Sequence, residues 1–369
     1  MRCVRGWLVA DAVLTRNPGP PPGGGGPDAG GGGRARHVLR TLVGVSACGW
    51  TAFVLLNLVV SGRWHLWLAF SVVPPIAYLV GSASLALAVP LVRGGWRLLA
   101  VALVGLVAAV PQSGLTLGVL TPGPGDPAGP TVTVVSWNTE YWDRTDDSDD
   151  FYQHLRDLDA DVYLLQEYLD FVDGRIVSID EEAALEARFP DYDIVIRGHL
   201  VTLSRLPVLD VPAVGHRDVL RVDVAAPGGA ALSTYNVHVR AQMDPTLSPL
   251  SGEFYRTLRA RDERRVAAYD ALRASATRDE RPGVIGGDLN TTPAMGDLRR
   301  IRDLGQDAAD AGSSVHPVSW DLSSALRLWR LDWMFVRNGV VAHDYRLEDP
   351  AGLSDHSVQI ARISVGGDR

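Results

Sequence analysis

Three apolar runs between residues 38 and 120 constrain this chain more than any other feature. Val38 to Val60, Trp64 to Val92 and Leu98 to Leu120 each supply about 20 residues, the length that crosses a hydrocarbon core. A soluble bundle of buried helices needs polar faces with helical period, and these runs show none. Pro74-Pro75 and Pro111 predict kinks in the second and third runs, which neighbouring helices tolerate in lipid. Arg34, Arg36 and Arg40 lead into the first run and Arg93 and Arg97 separate the second from the third, against Arg63 alone in the first loop. The positive-inside rule then places the N-terminus in the cytoplasm and, after three crossings, residue 131 onward outside the cell. A multi-pass protein of the cell membrane is expected.

The flanking segments differ. Residues 1–37 contain the tract Pro18 to Gly33, dominated by Gly and Pro; it cannot bury enough apolar area to offset its ordering entropy, so a disordered cytoplasmic tail is expected. Gly6 to Leu14 is too short and interrupted for a signal peptide. Residues 38–120 form the anchor, and 121–130, rich in Pro and Gly, a linker of the kind found at a domain boundary. Cys3 and Cys48 both precede that linker and offer neither a disulfide framework nor a thiolate metal site.

Charge divides the chain at the same place. Residues 1–130 carry 9 Arg against 3 acids, and residues 131–369 carry 26 Arg against 40 acids, a net of −14. There is no Lys, so every fixed positive charge is a guanidinium, suited to bidentate contacts with phosphate or carboxylate. Non-specific nucleic-acid binding draws its affinity from a basic surface, so an acidic domain argues against a stable nucleic-acid partner.

From Thr131 the pattern turns to short strands and amphipathic helices. Strands are expected at Thr131–Trp137, Asp161–Gln166, Ile194–Ile196, Val201–Ser204 and Leu220–Val224. Others follow at Ala231–Val239, Gly283–Gly286, Leu331–Val336 and Val358–Ile363. Helices are expected at Tyr152–Leu158, Glu181–Arg188 and Glu253–Ala276. Many strands with few helices between them indicate an α+β sandwich of sheets covered by helices.

Polar islands sit at the ends of those strands. They are Trp137-Asn138-Thr139-Glu140, Leu165-Gln166-Glu167, Tyr235-Asn236-Val237-His238, Gly286-Gly287-Asp288-Leu289-Asn290, and Leu331-Asp332-Trp333 with Ser354-Asp355-His356. Phosphate ester hydrolysis needs a hard cation, a group that activates water, and donors for the non-bridging oxygens. Glu140, Glu167 and Asp355 supply carboxylate oxygens of the kind Mg²⁺ or Mn²⁺ prefers. Asp288 and Asn290 lie two apart, on one face of extended backbone, and the glycines before them permit close backbone approach. Asp332 with Asp355-His356 allows a carboxylate to orient an imidazole. Singly, each has a plain structural explanation: a turn cap for Asn138, a solvated turn carboxylate for Glu167, a half-buried strand histidine for His238. Their order from Asn138 to His356 is what singles them out.

In that order the sequence resembles the endonuclease/exonuclease/phosphatase superfamily, the DNase I-like fold, over residues 131–369. The resemblance implies a four-layer αββα sandwich with its site at one edge of the packed sheets. It implies Glu167 as the main metal ligand with Asn138 nearby, Asp355 near the metal, and Glu140 where some members carry a second acidic ligand. Asp288 would orient or deprotonate water and Asn290 would bind phosphate. His238 would contact a phosphate oxygen; His356, oriented by Asp332, would do so or act as acid/base. Ser204-Arg205-Leu206-Pro207 resembles the family's Ser-Arg-x-Pro segment. The whole-chain architecture is similar to actinomycete teicoplanin-resistance membrane proteins, which implies membrane lipids as partners and a lipid-linked or cell-envelope phosphate as substrate. An external nuclease or general phosphodiesterase is the alternative, and a catalytically silent binding module the third. The His316-Pro317-Val318-Ser319-Trp320 loop leaves substrate choice open.

Overall fold

The computed structural model describes residues 29–116, 118, 125–127, 129–142, 148–321 and 327–366. The expected tail before residue 29 and half of the expected linker at 121–130 lie outside the described residues.

Helix α1 (Ala29–Val60) begins inside the segment expected to be disordered. Once the apolar run has nucleated a helix, each added residue gains a hydrogen bond without a second nucleation cost. The expected second span is broken: a 3-10 segment, His65–Val72, meets α2 (Pro75–Leu91) at a bend of 74°. Pro75 forces Pro74 out of the helical region and then starts α2 as its first residue. Helix α3 (Trp96–Ala109) ends in a 3-10 turn at Val110–Gln112, well short of the expected Leu120. Among the described residues one helix, Gly33–Val60, is long and apolar enough to cross a membrane; the other two expected spans are a bent pair and a short helix.

The helical segment buries Val54, Tyr78, Val89 and Ala109 together with several polar groups, and it leaves many apolar side chains exposed. Buried Asn57 Nδ2 donates to buried Gln112 Oε1 at 2.7 Å, and half-buried Trp67 Nε1 donates to Asn57 Oδ1 at 2.6 Å. Val45, Leu87 and Val107 are 67%, 69% and 74% exposed.

The remainder is built from strands. Those in its first half are β1 (Val132–Asn138), β2 (Val162–Gln166), β3 (Leu169–Val172), β4 (Arg175–Ser178), β5 (Asp193–Arg197), β6 (Leu200–Ser204), β7 (Val208–Asp210) and β8 (Val219–Ala225). Then come β9 (Ala231–His238), β10 (Gly283–Asp288), β11 (Gln306–Asp307), β12 (Trp320–Asp321) and β13 (Arg327–Trp329). The last are β14 (Asp332–Arg337), β15 (Val340–Glu348) and β16 (Val358–Val365). One six-stranded sheet runs β15-β16-β1-β2-β6-β5 and the other β11-β14-β10-β9-β8-β7, with hairpins β3-β4 and β12-β13 outside them. Three further helices, α4 (Ser148–Asp157), α5 (Glu182–Arg188) and α6 (Gly252–Arg278), complete the part. Every strand and helix expected after residue 130 is present, displaced by a few residues at its ends.

Alternation assigns the layers. Val134 on β1, Leu164 on β2, Val284 on β10 and Met334 on β14 meet in the core between the sheets. Their neighbours of opposite parity face outward: Val135, Tyr163 and Leu165 pack on Phe151 and Leu155 of α4, while Ile285 and Phe335 pack on Tyr269 and Leu272 of α6. Helix, sheet, sheet, helix is the order through the molecule, the α+β sandwich expected.

Candidate active site

The parity that fills the central core also places the candidate residues. Asn138, Gln166, His238 and Asp288 continue the inward-facing positions of β1, β2, β9 and β10, each as the strand's last residue. Asp332 opens β14 on the same parity. Pairing brings them level: Asn138 faces Gln166, and Asp288 lies between His238 and Asp332. The apolar core thus ends, at one edge of the sandwich, in a ring of polar side chains.

Two buried amides close the core beneath that ring. Gln166 Nε2 donates to Asn236 Oδ1 at 2.8 Å, and Asn236 Nδ2 donates to Leu165 O and Val201 O at 2.9 Å, tying one sheet to the other. The sheets approach closely here. A Cβ at Gly286 would lie 2.9 Å from Leu164 Cδ1, and one at Gly287, whose φ is +148°, would lie 1.8 Å from Val237 O. Only glycine fits at Gly287, against the Val237 backbone, and a side chain at Gly286 would require Leu164 to shift. Glu140, Glu167 and Asn290 hold left-handed backbone, with φ of 50°, 65° and 45°, a cost tolerated where side chains must be aimed.

Asp288 is the hub. Its Oδ1 accepts from Asn290 N at 2.7 Å, and its Oδ2 accepts from Asn290 Nδ2 at 2.7 Å and Asn138 Nδ2 at 3.0 Å. Asn290 Nδ2 also donates to Val239 O at 3.0 Å, so this amide positions Asp288. Asn138 Nδ2 also reaches Glu167 Oε1 at 3.2 Å, so Asn138 bridges the two carboxylates as a donor and does not offer them oxygen. His238 Nε2 stands 3.7 Å from both Glu167 Oε1 and Asp288 Oδ2. Burial pushes the Asp288 carboxyl up to about 7, and burial with the nearby His356 charge brings His238 down to about 3.

Across the site His356 Nδ1 lies 2.9 Å from Asp332 Oδ2, leaving Nε2 3.9 Å from Asp288 Oδ2 and 3.7 Å from Asp355 Oδ1. Burial opposes a charge on His356, but the carboxylates of Asp332, Asp288 and Asp355 outweigh it and hold the imidazole well above its ordinary value. The structure thus brings together Asn138, Glu167, His238, Asp288, Asn290, Asp332, Asp355 and His356. Glu140 borders them, its Oε2 accepting from Asp355 N at 3.0 Å.

Sequence reasoning missed the residues that hold this set. Ser319 Oγ donates to Asp332 Oδ2 at 2.6 Å and accepts from Asp332 N at 3.0 Å. Trp320 Nε1 donates to Asp355 Oδ2 at 2.8 Å. The 316–320 loop therefore braces the site. Buried Arg265 ties Thr291 Oγ1, at 2.6 Å, to Asp297 Oδ2, at 3.1 Å, in the loop after Asn290. In the sequence the His316-Pro317-Val318-Ser319-Trp320 loop stands out only as a feature bearing on substrate choice, not as a brace for Asp332 and Asp355.

Asp288, Asp332 and His356 place ligand atoms within 4.8 Å of one another, a spacing suited to a metal. Asp332 Oδ2 is already engaged by Ser319 and His356, however, which marks it as an orienting group. The better fit for a hard cation is on the other side. Asp355 Oδ1 is buried without a hydrogen-bond partner, Glu167 lies near enough to influence the Asp355 carboxyl, and oxygen donors suit Mg²⁺ or Mn²⁺.

No curated protein matches the chain. Among solved structures it is similar to an endonuclease/exonuclease/phosphatase from Bacteroides vulgatus, 19% identical, covering 64% of this chain and 100% of that one at a TM-score of 0.47. It is also similar to a mannosyl-6-phosphatase from Bacteroides thetaiotaomicron, 13% identical over 63% of this chain and 99% of that one, with a TM-score of 0.43. For the human Nocturnin catalytic domain the identity is 14%, the coverage 63% and 94%, and the TM-score 0.44. A sequence model of the Endonuclease/Exonuclease/phosphatase family matches residues 135–356, from β1 to His356 and more than half of the chain, and the chain belongs to that family.

Proposed function

We propose that this chain is a divalent-metal-dependent phosphoesterase held at the outer face of a membrane, acting on a lipid-linked or cell-envelope phosphate. Members of its family are hydrolases of phosphoester bonds and generally use a divalent metal. The observation that carries the reading is the opposed pair at the end of the core: a buried carboxyl near neutrality, Asp288, faces an imidazolium, His356, locked by Asp332. Those are the protonation states that take a proton from water and give one to a leaving group.

Glu167 and Asp355 would hold the cation, which when bound neutralises charge developing on the phosphate oxygens. Asp288, aimed by Asn290 and Asn138, takes the proton of the attacking water as the new O–P bond forms. His356 Nε2–H donates to the departing ester oxygen, so that the broken P–O bond leaves an alcohol. His238, neutral because it is buried, offers Nε2–H to a non-bridging oxygen. Asp332 keeps the His356 ring oriented throughout and stabilises its charge until that proton is given up.

Anchoring is supported by the inside-out pattern of α1 to α3, apolar faces outward and amides inward, as expected of helices in lipid. Resemblance to teicoplanin-resistance membrane proteins supports an envelope substrate and a role in glycopeptide resistance. The acidic sandwich disfavours the nuclease alternative. The test is an assay of the purified full chain with Mg²⁺ on long-chain lipid phosphates, a soluble phosphodiester and DNA. Turnover of lipid phosphate above that of DNA is expected; salt-sensitive cleavage of DNA with no action on lipid phosphates would overturn the substrate assignment.

A further inference from the structure

The helices are seated on one edge of the sandwich, and it is the edge that carries the site. Gln242, in the loop after β9 and His238, donates from Nε2 to Ser71 Oγ at 3.0 Å. On the loop after Asn290, Ala294 O accepts from Asn57 Nδ2 at 2.8 Å, Gly296 N donates to Ser61 Oγ at 2.8 Å, and Arg299 donates to Ser61 O. Ahead of Ser319, Val315 O accepts from Thr116 N at 2.9 Å. A Cβ at Gly296 would stand 1.8 Å from Ser61 O, so backbone meets backbone there. Leu68 of the 3-10 segment packs with Phe254, Leu258 and Met295 to seal the seam. Strands β9 and β10 are parallel and β14 is antiparallel to β10, so all three of these loops leave the sheet at the same end as His238, Asp288 and Asp332.

We infer that this seating is an orientation device: it holds the catalytic edge against the bilayer, and the partner of the rim is the phosphate-headgroup layer of the membrane that holds the helices. Leu250, 97% exposed, and exposed Tyr255 stand beside Leu247 and Phe254, which pack on the 3-10 segment. With exposed Trp64 and Phe70 they carry the apolar outer surface of the helices onto the sandwich at the junction. A substrate phosphate then reaches Asp288 and His356 from the membrane plane, where its concentration is set by confinement to the same surface. The inference rests on the membrane reading of the helices.

The test places one environment-sensitive fluorophore on the full chain carrying Cys3→Ser and Cys48→Ser, at Leu250→Cys or at Ala230→Cys. Ala230 is exposed in the turn between β8 and β9, at the far end of β9 from His238, about 25 Å away at 3.3 Å per residue. The protein is reconstituted in phosphatidylcholine–phosphatidylglycerol vesicles with or without a headgroup-level spin-labelled lipid. The spin label is expected to quench the Leu250 probe and leave the Ala230 probe as bright as in unlabelled vesicles. Equal quenching of both probes, quenching of neither, or quenching at Ala230 alone overturns the inference. Flotation with the vesicles is scored on the same sample. Protein that fails to float fails the membrane reading itself, whereas floating protein with the wrong pattern fails the orientation alone.

Discussion

The helical bundle and the sandwich both bury apolar side chains, but they differ in the polar groups they enclose and in the apolar ones they expose. In the bundle Asn57, Ser82 and Gln112 are buried while Val45, Leu87 and Val107 face out; in the sandwich Val134, Leu164 and Met334 are inside. Lipid makes the first arrangement favourable and water the second. The comparison teaches where chemistry is to be found. The bundle's buried amides are answered, Asn57 by Gln112 and by the half-buried indole of Trp67. At the sandwich's edge polar groups are left partly unanswered: His238 Nδ1 and Asp355 Oδ1 are buried without hydrogen-bond partners. Such atoms cost stability unless a substrate or an ion completes them.

The largest effect expected from this contrast is on stability. Leu164→Ala opens a cavity between the sheets and is expected to lower the unfolding free energy by about 2–5 kcal/mol. Leu87→Ala on the outer face of α2 is expected to change it by less than about 0.5 kcal/mol. Denaturant titrations of the full chain in one detergent measure both, and equal losses would erase the distinction between the two regions.

Next in size is the loss of the proton acceptor. Asp288→Asn is expected to reduce kcat at least about 10²-fold. Its melting temperature is expected to hold or rise, because burial already disfavours the Asp288 charge and an amide has none to desolvate. A variant that keeps most of its turnover would assign the proton transfer elsewhere, with His356 next in line.

Much of this was legible in the sequence, for a physical reason. Asn138, His238 and Asp288 each stand at the end of a strand, and the two-residue period of extended backbone aims them at the seam between the sheets. What supports them is not periodic. Ser319 and Trp320 reach Asp332 and Asp355 from a loop, and no local pattern announces that contact. Strand β15, with His343, Asp344 and Arg346 along it, has the polarity of a sheet edge and escapes a search for apolar alternation. A Pro-Gly linker marks a boundary but is silent on whether its two sides dock, so the hydrogen bonds from Asn57 and Ser61 to the loop after Asn290 appear only in three dimensions. The break at Pro74 was visible; the 74° turn it produces was not.

The smallest expected effect is a slope. His199, packed edge-to-face on His238 with ring centroids 5.0 Å apart, is lowered to about 4 by burial and by its neighbour. Unfolded histidine binds its proton near 6.5, so between those values the unfolded chain holds more protons and stability falls as pH falls. His199→Gln is expected to flatten the dependence of unfolding free energy on pH by at most about 1.4 kcal/mol per pH unit in that window. Parallel curves for wild type and variant would show that His199 is not held neutral by the fold.

The most direct measurement of the central claim is turnover of a soluble phosphodiester by the full chain after chelation and after return of Mg²⁺, for wild type and Glu167→Gln side by side. The account predicts that chelator abolishes wild-type activity, that Mg²⁺ restores it, and that Glu167→Gln remains inactive at Mg²⁺ concentrations that saturate the wild type. Undiminished turnover in chelator, or full recovery of Glu167→Gln at the same Mg²⁺ concentration, would contradict it.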